Sequence, residues 1–472
     1  MATDETAKSF ESGVRKMMKN NARTINEIVD FKATVSDNPL RDAFNAKVTV
    51  HSDAGGMLVM GKDAISLIES QYDIGRDQQV NETRMAYIHV PFCETRCLYC
   101  LFYQNPLQPG AGRHYVDLLL KELELWSDRK AQSEGLVHAV YFGGGTPTAL
   151  DAEDIERMVE GVKKYLPLAN DCEMTLEGRF HHFDQHKMEA AFKAGVNRIS
   201  LGAQSFDAKV RQTMRRVDGP DAMIRTIEEL ASFNQASIVC DLIYGFPYQS
   251  MSIWENDLKI ASELPLDGVD CYQLNVFEKS PLGKFIANGK WPAGADKAER
   301  GEMFARSVSY LTDAQWRRLS NNHWARTFRE RNLYNRFGKS ACDCLAFGCG
   351  AGGKLNGHSF MMHRKLLDWE TLIAQGIKPV AFATRPGPHW SLLRTISSEM
   401  ELGRVNLKQI GQRFALDVDS LSADVFKQWE SAGLVRKVGD WHVQTLAGQF
   451  WHVTMSQLLM NVLASRLNGL LI

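Results

Sequence analysis

What this chain has little of narrows it first. It has almost no charge imbalance: 55 Lys and Arg against 56 Asp and Glu leave a formal net charge of -1, no footprint for a nucleic-acid partner. It has no apolar run of membrane-spanning length, so no membrane span is expected. The opening "MATDETAKSFESGVRKMMKN" is charged and lacks the apolar segment of a secretion signal. There is no repeat and no low-complexity tract. Nine cysteines are an odd number in a long chain, which argues against a disulfide framework and for a reducing compartment. The expectation is a cytoplasmic globular protein, 44% hydrophobic, whose oligomeric state the sequence leaves open.

A fourth cysteine is also missing where one would be looked for. "IHVPFCETRCLYC" places Cys93, Cys97 and Cys100 in a C-x-x-x-C-x-x-C run. A structural zinc site normally closes with four ligands, and an electron-carrying ferredoxin run supplies four cysteines. Three thiolates in one tight loop suit a four-iron, four-sulfur cluster with one iron left for a substrate or cosubstrate. Buried inert thiols would explain the residue type but not the clustering.

What is present along the chain is a regular alternation. "MAYIHVP" (85–91), "VHAVYFGGG" (137–145), "CEMTLEG" (172–178), "RISLGAQ" (198–204), "SIVCDLIYG" (237–245) and "GVDCYQLNV" (268–276) read as short strands. Amphipathic helical stretches such as "RHYVDLLLKELELWSDRK" and "QHKMEAAFKAG" separate them, the second stopped by Gly195. Strand, helix, strand repeated in this way predicts parallel strands with right-handed crossovers. The fold class is therefore α/β, a partial (β/α)6 barrel, with a doubly wound sheet as the alternative. Either places functional groups beyond the C-terminal ends of the strands. There lie the cysteine loop, "GGGTPT" (143–148), Glu177, Gln204 and Asp241.

The expected organisation is an N-terminal helical extension over 1–80, the barrel with its C-terminal extension over 81–370, and a small α+β domain over 371–472. The last contains "GRVNLKQIGQRFALDVDSLSADVFKQWESAGLVRKVGDWHVQ", two short helices, a longer one ending near Gly433 and a hairpin turning at Gly439-Asp440. That is a winged-helix pattern, read as a lid or packing module because its charge is mixed. "TMSQLLMNVLASRLNGLLI" carries methionine and leucine at helical spacing, a core or subunit stripe.

"YIHVPFCETRCLYC", "YFGGGTPT", "GVNRISLGAQSFD" and "DLIYGFPYQ" together resemble the successive motifs of the radical S-adenosylmethionine enzymes, in the branch that contains oxygen-independent coproporphyrinogen III oxidase. The resemblance implies that Cys93, Cys97 and Cys100 bind a [4Fe-4S] cluster whose open iron takes S-adenosylmethionine. It further implies cosubstrate contacts from Tyr87, Tyr99, Gly144, Gly145, Thr146, Glu177, Gln204, Arg216 and Asp241. Within the branch, "CLFYQNP", "TLEGRFHHF" and "SACDCLAFGCGAGG" are most similar to the anaerobic heme-degrading methyltransferases, the anaerobilin synthase group. Membership would mean heme as substrate, transfer of a methyl-derived carbon, ring opening to a linear tetrapyrrole and release of iron. It would also mean two S-adenosylmethionine molecules per turnover and a low-potential electron donor such as flavodoxin. The decarboxylating oxidase and a heme-binding chaperone are the alternatives.

The chain departs from the branch pattern at Phe180, where many relatives carry proline, and at the histidines that follow. His181, His182 and His323 are the candidates for an axial ligand to heme iron. His181 and His182 also read as surface imidazoles opening the next helix. Cys342, Cys344 and Cys349 are read as part of a close turn rather than a second metal site.

Overall fold

A computed structural model of the protein describes residues 30–48, 56–74, 83–102 and 104–469. The rest of the expected extension, including residues 1–29, lies outside the described residues. Two compact units emerge, residues 58–384 and a second built from the N-terminal segment up to residue 57 with residues 385–472. The segment expected as one extension over 1–80 is thus divided between them.

In the larger unit the strands, in chain order, are β1 (Met57–Met60), β2 (Arg84–Val90), β3 (Phe92–Cys93), β4 (Asn105–Pro106), β5 (Val137–Gly144), β6 (Leu168–Gly178), β7 (Arg198–Gln204), β8 (Ser237–Tyr244), β9 (Gly268–Gln273), β10 (Arg317–Arg318), β11 (His323–Ala325), β12 (Asp343–Phe347), β13 (Gly352–Leu355), β14 (His358–Met362) and β15 (Val380–Arg385). Strands β2, β5, β6, β7, β8 and β9 lie side by side in that order, each parallel to the next. A doubly wound sheet would reverse its order at a switch point; this series does not, which is the winding of a barrel. These six strands are the six expected from the sequence. In β2, β5, β7 and β8 the residues are buried or half-buried without a break, as parallel strands covered on both faces must be.

The helix Gln185–Ala194 ends as expected at Gly195, whose φ of 112° lies in the left-handed region. The sheet runs on further than expected. Strand β12 adds in parallel to β2, then β13, β14, β15 and β1 follow, while β11 and β10 extend the other edge. Cys344 therefore sits in a strand, and the turn read into "FGCGAGG" is confined to the residues after Phe347, where Gly348 and Gly350 have φ of 98° and 86°. No helix among the described residues is long and apolar enough to cross a membrane.

In the smaller unit, helices Leu407–Phe414 and Val418–Ser431 precede an antiparallel hairpin, Val435–Val438 with Trp441–Gln444, completed by Arg404–Val405. This is the winged arrangement read from the sequence, with one short helix before the longer one where two were expected. The final helix, His452–Gly469, buries Met455, Leu459, Met460, Leu463 and Leu467, so its apolar stripe is core.

Candidate active site

The cysteine loop leaves β2 at Pro91 and is fastened on both sides by backbone bonds. Leu107 N–H donates to Cys93 O (3.3 Å), Leu98 N–H to Met214 O (3.4 Å), and Leu282 N–H to Leu98 O (2.9 Å). Leu98 anchors the loop in an apolar cluster with Val210, Met214, Phe246, Leu274 and Leu282. Tyr99 packs on its margin, its ring edge-on to Phe246 at 5.4 Å. Cys93 and Cys97 are buried and Cys100 is half-buried.

Each sulfur accepts a hydrogen bond. Thr146 Oγ1 lies 3.4 Å from Cys93 Sγ, Arg216 Nη1 donates to Cys97 Sγ at 3.5 Å, and Phe102 N–H to Cys100 Sγ at 3.3 Å. Donors aimed at sulfur favour the thiolate, the form that binds metal. Burial pushes the Cys97 thiol up, but Arg216 and Arg179 outweigh it and leave it below its ordinary value. Burial dominates at Cys93 and raises it. Among the described residues, only Glu94, His181 and His182 bring three ligand atoms within 4.8 Å of one another.

The glycine loop after β5 lies directly on the cysteine loop. A Cβ at Gly144 would run into the His89 imidazole, and one at Gly145 into the Phe92 carbonyl. The first demand on these glycines is therefore the close approach of the two loops, a requirement the sequence reading assigned to the ligand. Tyr87 stacks on Tyr141 at 6.4 Å and shares a hydrogen bond of 3.0 Å with His89 Nδ1. The other nitrogen of His89 meets Gln104 at 3.0 Å, and burial pulls the imidazole down to about 3, so it is neutral. Sequence reasoning passed over His89. Its place two residues after Tyr87, on the same strand face, was the available signal.

Glu177, Gln204, Asp241 and Arg216 lie near one another. Gly144 N–H donates to Glu177 Oε2 at 3.4 Å. Burial raises Glu177 to about 7, Gly144 and Arg179 opposing it only in part. Burial, then Asp270 and Glu177, hold Asp241 well above the carboxylate range. Gly202 pairs with Asp241 in register, and its missing side chain leaves room for the Gln204 amide and for Arg216, which donates to Gly202 O. Gln204, with φ of 70°, ends the strand at an irregularity, and its Oε1 is buried without a hydrogen-bond partner.

These features fit a cluster with a zwitterionic cosubstrate. Cationic and hydroxyl donors surround the sulfurs, a buried amide oxygen is unsatisfied, and two protonatable acids face the same space.

Arg179, which the sequence reading also passed over, donates to Thr95 O and Oγ1, both at 2.9 Å, and so grips the cysteine loop from the end of β6. Phe180 is buried beside it. The histidine expectations divide. His181 and His182 do sit at the mouth, against Glu94 of the cysteine loop. His323 does not: it is wholly buried, with Nδ1 2.8 Å from Asp270 and Nε2 3.0 Å from Glu330. With both nitrogens committed to carboxylates it has no lone pair to give a porphyrin iron, and it is withdrawn as a candidate.

Parallel strands in unbroken order with a three-cysteine loop at their C-terminal end define a radical S-adenosylmethionine enzyme, and residues 87–261 match the Radical SAM superfamily. Its cofactors are accordingly a [4Fe-4S] cluster and S-adenosylmethionine. The chain is 41% identical over 415 residues to the anaerobilin synthase of Escherichia coli O157:H7, covering 86% of this chain and 92% of that one. The chain belongs to the anaerobilin synthase family. It is also 32% identical over 275 residues to the heme chaperone HemW of Escherichia coli K12, covering 57% of this chain and 69% of that one. Among solved structures, the coproporphyrinogen III oxidase of Escherichia coli superposes with a TM-score of 0.68 at 20% identity, over 80% of this chain and 91% of that one, a likeness of fold.

Proposed function

We propose that this enzyme degrades heme without oxygen, transferring a methyl-derived carbon to the porphyrin and opening it to a linear tetrapyrrole with release of iron. The observation that carries the reading is the 41% identity maintained over 92% of an anaerobilin synthase. In this reading Cys93, Cys97 and Cys100 hold the cluster, with Arg216 and Arg179 balancing the negative charge of its thiolates. When bound, the cluster supplies the electron that cleaves S-adenosylmethionine, and a low-potential protein of the flavodoxin kind replenishes it. Tyr87, Tyr99, Gly144, Gly145 and Thr146 shape the cosubstrate site. Glu177 accepts from the methionine amino group, Gln204 gives its unpaired oxygen to a cosubstrate donor, and Asp241 serves the ribose hydroxyls.

The test is an anaerobic incubation with reductant, S-adenosylmethionine and heme. Heme absorbance should disappear while a ferrous chelator reports free iron. Heme returned intact while coproporphyrinogen loses carboxyl groups would favour the decarboxylase, and heme retained without either reaction would favour a chaperone.

Arg216 gives a sharper prediction about which ligand sits where. Arg216→Ala removes a half-buried donor to Cys97 and to Gly202, and with it the charge-assisted contact proposed for the cosubstrate carboxylate. A loss of about 2 kcal/mol is expected, roughly thirtyfold in S-adenosylmethionine affinity by equilibrium dialysis. Heme affinity should stay within about twofold. The reverse pattern would exchange the two sites.

A further inference from the structure

The loop after β6 and the cysteine loop bring together three groups that neither the cluster nor the cosubstrate uses. His182 Nδ1 lies 2.7 Å from Glu94 Oε1, and His181 Nε2 lies 3.9 Å from Glu94 Oε2. The two imidazoles stack at 3.8 Å between centroids, and one ligand atom from each of the three residues falls within 4.8 Å of the others. A first-row divalent ion sits about 2.0–2.2 Å from nitrogen and oxygen ligands, which separates neighbouring ligand atoms by about 3 Å. The observed pair of distances brackets that separation.

The outer contacts are those of a ligating set. His181 Nδ1 lies 3.3 Å from Asp218 Oδ1, which keeps the proton on Nδ1 and leaves the Nε2 lone pair facing Glu94. His182 takes a left-handed φ of 54°, a conformation rare for a residue with a side chain, and this turns its ring onto that of His181. Glu94 does not wander, because its neighbour Thr95 is gripped by Arg179 and the preceding Cys93 is fastened to Leu107. His182 is exposed, so water can complete the coordination of an ion held there.

We infer that Glu94, His181 and His182 form a site for a divalent first-row metal ion, of the two-histidine, one-carboxylate type suited to ferrous iron. Two imidazoles and a carboxylate on one side of an ion, with open positions on the other, are the arrangement in which proteins hold non-heme ferrous iron. Axial ligation of heme through His181 fits less well, because its Nδ1 lies 3.3 Å from Asp218 and its Nε2 faces Glu94. The ion can come from two sources, free ferrous iron or the iron released from the macrocycle. The second rests on the heme reading above; binding itself does not.

The experiment uses the full-length protein with a cluster assembled from Mössbauer-silent iron. In the first arm, enriched ferrous iron is added anaerobically, and the expected spectrum is a high-spin ferrous doublet at about one ion per chain, separate from the cluster signal. Replacing both histidines, His181→Gln with His182→Gln, should abolish the doublet while the cluster absorbance persists. Asp218→Asn, which leaves all three ligands in place, should weaken binding by about tenfold or more. No doublet in the wild-type protein, or the same doublet in the double variant, overturns the site and leaves Glu94 with the histidines as a loop fastening only. So does a heme spectrum that shifts in the histidine variants while added ferrous iron binds as before. In the second arm the enriched iron enters as heme. A doublet after turnover identifies the macrocycle as the source; consumption of heme with all the iron passing to the buffer, alongside binding in the first arm, assigns the site to free ferrous iron. If heme is not consumed, the functional reading fails while the first arm still decides the site.

Discussion

Cys97→Ala is expected to abolish both the cluster and all cleavage of S-adenosylmethionine. Burial pushes the Cys97 thiol up, but Arg216 and Arg179 draw it below its ordinary value, whereas burial raises that of Cys93. Cys97 also carries the sulfur to which Arg216 donates. Removing it leaves two corners for a cluster that needs three and strands the half-buried Arg216 guanidinium without its anionic partner. Iron and sulfide analysis after anaerobic reconstitution, with chromatographic assay of methionine and deoxyadenosine, measures both losses. The fold should survive, since the loop is held chiefly by Leu98 in its apolar cluster and by backbone bonds to Met214 and Leu282. A variant with a full complement of cluster iron and full cleavage would refute the assignment of this loop.

Glu330→Ala should give the largest loss of stability. The Glu330 carboxylate accepts from Arg198 Nε at 3.0 Å and from Ser237 Oγ at 2.7 Å and lies 3.0 Å from His323 Nε2, and every partner is buried. Deleting it leaves the buried Arg198 guanidinium without its ion-pair partner and His323 with Asp270 alone, a change that typically costs about 3–5 kcal/mol. Equilibrium denaturation would show it as a lowered midpoint, accompanied by a changed dependence on pH. Burial pulls His323 down, but Asp270 and Glu330 overcome it and raise the imidazole to about 9. A group whose folded value exceeds its unfolded value stabilises fully below the unfolded value, about 6.5, and loses that contribution as pH rises through the folded one. The wild-type protein should therefore lose stability between about pH 6.5 and 9, and Glu330→Ala should lose less over the same interval. An unchanged midpoint, or a slope that matches the wild type, would show that the His323 charge is not part of the folding balance.

The same network explains where the sequence ceased to be legible. His323 reads as a free imidazole in "LSNNHWAR", and only the pairing of β11 with β9 sets it opposite Asp270, more than fifty residues away in the chain. Glu330 and Arg198 are likewise joined across the fold. Contacts of that range leave no periodicity behind. The six parallel strands were legible because strands buried on both faces write continuous β-branched and aromatic runs, bounded by helices with clear stop signals such as Gly195. Strands β12 to β15 were not, because they are short, 4 to 6 residues each, and β13 opens on two glycines that carry turn chemistry as readily as strand. The cysteine spacing and the glycine triplet were visible without any knowledge of packing. Arg179 and His89 act through the loop beside them, and a motif does not encode a neighbour.

The most direct measurement is the mass of the product formed anaerobically from heme with S-adenosylmethionine carrying an isotopically labelled methyl group, under reduction by a flavodoxin-type donor. The account predicts a linear tetrapyrrole heavier than the iron-free porphyrin by an added carbon unit, with the label retained in that unit and iron recovered in the buffer. A product without the label, or heme recovered unchanged from protein that cleaves S-adenosylmethionine, would contradict it.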